Sequence, residues 1–120
     1  MDRIRIATAQ FEHKSGDKVH NLQTIDALCK RAAEQGASAV AFHECSITGY
    51  SFARHLSKEG LLEIAEYIPA GKSIGMLTEI AARYDISVLA GLFEKDNEDK
   101  IYKAYVCVDR NGLAAKMKAS

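Results

Sequence analysis

Apolar positions fall into three kinds of run along the chain. Residues 3–11, RIRIATAQF, alternate and then turn wholly small or apolar, which predicts a strand. The polar stretch EHKSGD follows as a loop, with Ser15 or Asp17 placed to cap a helix. Over 18–35 the apolar residues are Val19, Leu22, Ile25, Cys29, Ala32 and Ala33, a single stripe at helical spacing, with Gly36 suited to end it. Residues 37–42 are apolar without alternation, as in a strand buried on both faces.

The second half of the chain is equally patterned. Residues 57–67 predict a helix carrying Leu61, Leu62, Ile64 and Ala65, broken by Pro69, Ala70 and Gly71. Residues 72–84 give a second stripe through Ile74, Leu77, Ile80, Ala81 and Tyr84. The run SVLAGLF at 87–93 predicts another buried strand. After a polar turn at 96–99, residues 101–108 alternate, with Ile101, Lys103 and Tyr105 on one face. The turn at 109–112 leads into a strand opening at 113–116. The order is β-α-β-α-α-β-β-β. Two strand–helix–strand crossovers imply parallel pairing, and the later hairpins imply an antiparallel continuation. The expectation is an α/β fold built on one mixed sheet with helices on one face.

Bulk properties narrow the partners. The 120 residues amount to one domain, with 48% hydrophobic and 27% charged residues, ordinary for a globular protein. Sixteen basic residues balance sixteen acidic ones, which argues against nucleic acid or an anionic membrane as the main partner. No apolar run approaches the ~18 residues of a membrane span. The N-terminus, MDRIRIATAQ, has no signal-peptide core, so the chain reads as cytoplasmic. Cys29, Cys45 and Cys107 are odd in number and widely spaced, which suggests neither a disulfide framework nor a zinc site. Cys29 and Cys107 read as structural thiols.

Candidate chemistry gathers at AFHECSITGYS, residues 41–51, where His43, Glu44 and Cys45 follow a buried strand. In open α/β sheets, sites lie beyond the carboxyl ends of parallel strands. A carboxylate at the edge of an apolar wall there has its charged form disfavoured, which can tune it for general-base work; the alternative is a structural Glu that caps a loop or pairs with a lysine. Adjacent strand residues point to opposite faces, so His43 and Cys45 diverge from Glu44, and a thiol–imidazole pair is normally made by residues apart in sequence rather than by such near neighbours. His43 reads as a packed histidine. His13, His20 and His55 are isolated, with no metal-ligand spacing. Gly49 permits a tight turn, after which Tyr50 either folds its hydroxyl back toward Glu44 as an orienting or substrate-binding group or plugs the turn as an aromatic.

Four stretches in order resemble the nitrilase superfamily of carbon–nitrogen hydrolases. They are RIATAQFEHKSGDKVHNL, GASAVAFHECSITGY, IAARYDISVLAGLFEKDNEDKIYKAYVCVDRNG and GLAAKMK, together running from about Arg3 to Lys118. The resemblance implies part of an α-β-β-α sandwich that hydrolyses nitriles, amides or N-carbamoyl compounds through a Glu-Lys-Cys set. It implies no metal or organic cofactor, small-molecule substrates and homo-oligomers. Glu44 matches the general base. The lysine that stabilises the tetrahedral intermediate aligns with Ala119 without gaps, with Lys118 if one residue is skipped, and with Lys116 if more are; Lys118 is the preferred candidate. The family's nucleophilic cysteine falls beyond this lysine, and neither Cys45 nor Cys107 matches it. Residues 1–120 therefore read as a single, incomplete hydrolase domain. Two other readings stand beside it: a non-catalytic truncated homologue serving as an oligomerising or regulatory subunit, and an independent thiol enzyme built on Cys45.

Overall fold

A computed structural model describes residues 5–12, 14–44, 46–49 and 56–119, the last by its backbone alone. Its elements follow the predicted order: β1 (Ile6–Ala9), α1 (Lys18–Glu34), β2 (Ala39–Phe42), α2 (Lys58–Ile64), α3 (Lys72–Tyr84), β3 (Ser87–Lys95), β4 (Ile101–Asp109) and β5 (Gly112–Ala119). The five strands form one sheet in the order β1-β2-β3-β4-β5. β1, β2 and β3 are parallel, whereas β4 and β5 continue as antiparallel hairpins. The two crossovers and the two hairpins thus fall where the hydrophobic periods put them.

One face of the sheet carries the core. Val40, Val88 and Val108 pair in one row across β2, β3 and β4, with Ala90 opposite Val106 in the next. Leu22, Ile25 and Cys29 of α1 and Ile74, Leu77, Ile80 and Ala81 of α3 close over this face. Each fully buried large aliphatic side chain contributes about 1.5–3 kcal/mol. Asp26 of α1 accepts hydrogen bonds from Arg83 and Tyr84 of α3 and so ties the two helices at their outer edge. α2 sits elsewhere. Its Leu61 and Ile64, with Ala65, pack around Phe93 and Ile101, which alternate onto the opposite face at the carboxyl end of β3. Beyond α2, no described element covers that face, and Ile6 and Met117 on it are 65% and 77% exposed.

Several boundaries shift for local reasons. Asp17, not Ser15, caps α1, accepting from the His20 N–H at 2.9 Å. α2 ends at Ile64 rather than 67, because Ala65 turns extended and Glu66 joins β3 as an isolated bridge. β3 and β5 are longer than predicted, reaching Lys95 and Ala119.

Glu66 joins three elements. Lys18 Nζ of α1 donates to its Oε2 at 2.8 Å, and the Ser73 N–H in the first turn of α3 donates to Oε1 at 2.8 Å. The Ser73 hydroxyl also bonds Oε2. α3 starts after Gly71, which has no side chain to cap it, so Glu66 supplies the cap from outside the helix. A Cβ on Gly71 would stand 2.5 Å from Glu66 Oε1, so only glycine fits there. Burial alone would raise the Glu66 carboxyl; the hydrogen bonds from Lys18 and Ser73 outweigh it and hold the group below its ordinary value. A group depressed in this way stabilises the fold above its unfolded titration, and that contribution is lost as pH falls through its folded value. Glu66→Gln is therefore expected to cost about 1–3 kcal/mol at neutral pH. The difference from the parent should shrink from about pH 4 downward. Urea unfolding from pH 7 to pH 3 measures it; a gap independent of pH would refute the assignment.

Candidate active site

The site is built where β2 leaves the edge of β3. β2 accompanies β3 only from Ser87 to Leu89. Past that point the segment after Glu44 takes over the edge. The Ile47 N–H donates to the Gly91 carbonyl at 3.1 Å, and the Gly91 N–H donates to Ser46 Oγ at 3.2 Å. Further along, the Glu66 N–H donates to the Phe93 carbonyl and the Lys95 N–H to the Glu66 carbonyl, both at 2.9 Å. His43 and Glu44 lie in the gap between β2 and this first anchor.

The anchor is held from behind by Asn21 of α1, which is wholly buried. Its Nδ2 donates to the carbonyls of Ile47 at 2.7 Å and Lys14 at 2.9 Å, and its Oδ1 accepts from the Lys14 N–H at 2.7 Å. The Gly16 N–H donates to the Thr48 carbonyl at 3.1 Å. Ser46, Ile47 and Thr48 are fully buried in consequence. From the other face, the Tyr105 hydroxyl donates to the Phe42 carbonyl at 2.6 Å. Tyr105 pairs with Gly91 on β3, so its ring reaches β2 over a strand position that carries no side chain. Burial, and then the neighbouring Cys107, raise the Tyr105 hydroxyl above its ordinary pKa, keeping it a donor at neutral pH.

The individual candidates fare differently. Glu44 stands in the turn after β2, at the predicted carboxyl end, but its residue is exposed. The apolar wall expected around it is not formed by the described residues, because the chain has left the sheet before Glu44. The His43 ring lies edge-on to Phe11 with centroids 5.2 Å apart, as a packed histidine does. Lys118 Nζ lies 4.3 Å from the centroid of the Tyr102 ring, while Lys116 Nζ donates to buried Glu94 Oε2 at 2.7 Å. Ala41, Leu89, Cys107 and Ala115 form one row across four strands. Glu44 and Lys118 each lie three residues past it in the same direction, so they share an end of the sheet. Three strand spacings, about 14 Å, separate their strands, and no contact joins them.

The remaining thiols are poor nucleophiles. Burial, and then Asp26, push the Cys29 thiol up to about 12; burial, and then Asp109, raise Cys107. Cys45, Tyr50, His13 and His55 lie outside the described residues. Among the described residues, no group of three or more His, Cys, Asp or Glu is placed to hold a metal ion. Asn21, Gly91 and Tyr105 escaped sequence reasoning. A glycine inside the apolar run SVLAGLF is the one signal that marked a close approach; nothing in the α1 stripe distinguished Asn21.

A five-stranded mixed sheet with two long helices on one face, and an acid just past the carboxyl end of a parallel strand, defines an α/β fold of the class whose sites lie at strand ends. The sequence profile of the family described as carbon-nitrogen hydrolase matches residues 5–118, and the chain belongs to that family. It is 30% identical over 115 residues to a nitrilase of Pyrococcus abyssi (strain GE5 / Orsay), covering 96% of this chain and 42% of that one. It is 28% identical to an arylacetonitrilase of Macrophomina phaseolina (strain MS6), covering 91% and 33% respectively. The fold matches an N-terminal amidase with a TM-score of 0.80 at 17% identity, over 98% of this chain and 28% of that one. It matches an amidase from Nesterenkonia sp. with a TM-score of 0.74 at 24% identity, over 96% and 42%. The chain spans less than half the length of the curated relatives it matches.

Asn21→Ala should test how the site is held. The buried Ile47 carbonyl and the part-buried Lys14 N–H and carbonyl lose their partner, an expected cost of about 2–4 kcal/mol. Amide exchange at Ile47 should accelerate more than at Leu77. A uniform acceleration, or none, would contradict the anchoring role.

Proposed function

We propose that the chain supplies the acid-bearing part of a carbon–nitrogen hydrolase site acting on non-peptide C–N bonds in amides, nitriles or N-carbamoyl compounds. The observation that carries this reading is the double fixing of the segment around Glu44, by Tyr105 on Phe42 and by Asn21 and Gly91 on Ser46–Ile47. In this reading Glu44 removes the proton from a thiol. The thiolate attacks the substrate carbon, and Lys118 stabilises the negative oxygen or nitrogen that develops. With an amide, the C–N bond breaks, the amine leaves with a proton, and water hydrolyses the thioester. Tyr50 hydrogen-bonds the substrate. The thiol is neither Cys29 nor Cys107, which burial keeps protonated, and the reading takes it from outside the 120 residues. Membership in the family supports the reaction type, and the amidase from Nesterenkonia sp. solved in complex with acrylamide supports small amides as substrates.

A second reading is favoured by the uncovered face of the sheet. Exposed Ile6 and Met117 on that face support association, either as a homo-oligomer or as a non-catalytic subunit of one. The purified 120-residue chain is expected to turn over no amide, nitrile or N-carbamoyl amino acid, and light scattering is expected to show an oligomer. Turnover abolished by Glu44→Ala would contradict the division of the site. Rapid, pH-dependent alkylation of Cys45 near neutral pH would point instead to a thiol enzyme of its own. A stable monomer would remove the subunit reading.

A further inference from the structure

We propose that the outer edge of β1 is a strand-addition site for an extended, acidic segment of a partner chain. β1 ends the sheet, and among the described residues no strand pairs with its outer side. The Ser38 and Ala39 N–H groups donate to the Arg5 carbonyl, and Ile6 stands opposite Ala39. In a parallel ladder this phase sends the backbone of Arg5, Ala7 and Ala9 toward β2 and the N–H and C=O groups of Ile6 and Thr8 outward. The outward groups are a ready ladder for another strand.

A groove of about 290 Å³ runs beside this edge, between β1 and α1. Ala7, Ala9, Ala32 and Ala37 line it, and such short side chains leave room for those of an added strand. Its charged lining consists of Arg5 and Arg31, with no carboxylate. The Arg5 guanidinium rests against the Gln35 carbonyl at 3.4 Å, at the rim of the groove. Two guanidiniums beside an open ladder select an extended segment that places carboxylates on its alternate side chains, because the fork geometry of arginine matches a carboxylate. This surface is separate from Glu44 and does not depend on the proposed reaction.

The test titrates the isotopically labelled chain with three capped seven-residue peptides. One alternates Val and Glu, one alternates Val and Lys, and one is the Val–Glu peptide N-methylated at alternate residues. The Val–Glu peptide is expected to shift the amide resonances of residues 5–9 and 31–37 and to slow amide exchange at Ile6 and Thr8. The Val–Lys and N-methylated peptides are expected not to bind. Arg5→Ala/Arg31→Ala should weaken Val–Glu binding about tenfold, the size of two partly exposed ion pairs. Equal binding of the Val–Lys or N-methylated peptide, no binding at all, or shifts confined to the open face of the sheet would overturn the proposal. So would protection of Ile6 and Thr8 without peptide. Protection that rises with protein concentration would give the edge to a second copy of the chain; protection at every concentration would give it to a segment of the same chain.

Discussion

β3 has nine residues and its parallel neighbour β2 only four, so more than half of the β3 edge must find its hydrogen bonds elsewhere. Buried backbone donors and acceptors cannot be left open. The chain meets the demand in sequence: β2 along 87–89, Ser46 and Ile47 at Gly91, and Glu66 at Phe93 and Lys95. The segment containing Glu44 is shaped by this requirement. It must leave the sheet after Phe42 and return by Ser46, and the turn between them projects the acid at the carboxyl end of the strand. Asn21, Tyr105 and the Lys18–Glu66–Ser73 bonds all reinforce one of the three edge contacts.

The same requirement ties stability to function. Asn21 and Glu66 spend their hydrogen bonds within the chain, on the backbone of residues 14 and 47 and on Lys18 and Ser73. Their removal would loosen the site indirectly, by freeing the backbone that presents it. Lys116 and Lys118 illustrate the reverse case. Both lie on β5 past Ala115, yet one is held by Glu94 and the other lies over Tyr102. Sequence spacing near a turn glycine cannot choose between them, because the choice depends on contacts made across two strands.

Periodicity made the architecture legible. The stripes of α1 and α3 and the unalternating runs of β2 and β3 are consequences of which faces are buried, so the order of elements and the mixed sheet followed from them. The position of Glu44 was legible, because the short apolar run before it marks the carboxyl end of a parallel strand. Its exposure was not legible: the apolar run ahead of it predicts a sheltered carboxylate, whereas the turn that follows Phe42 leaves Glu44 exposed. Asn21, Tyr105 and Glu66 were not legible either. Their partners are 26, 63 and up to 48 residues away, beyond any local pattern.

The account rests on the continuity of the β3 edge, and native-state amide hydrogen exchange tests it directly. If Ile47, Gly91, Glu66 and Lys95 complete that edge, their amides should be protected to a degree close to that of Val88 in the paired region. Exchange at these four positions as fast as in the exposed turn at 97–100 would contradict the account. It would leave Glu44 on a segment with no fixed relation to the sheet.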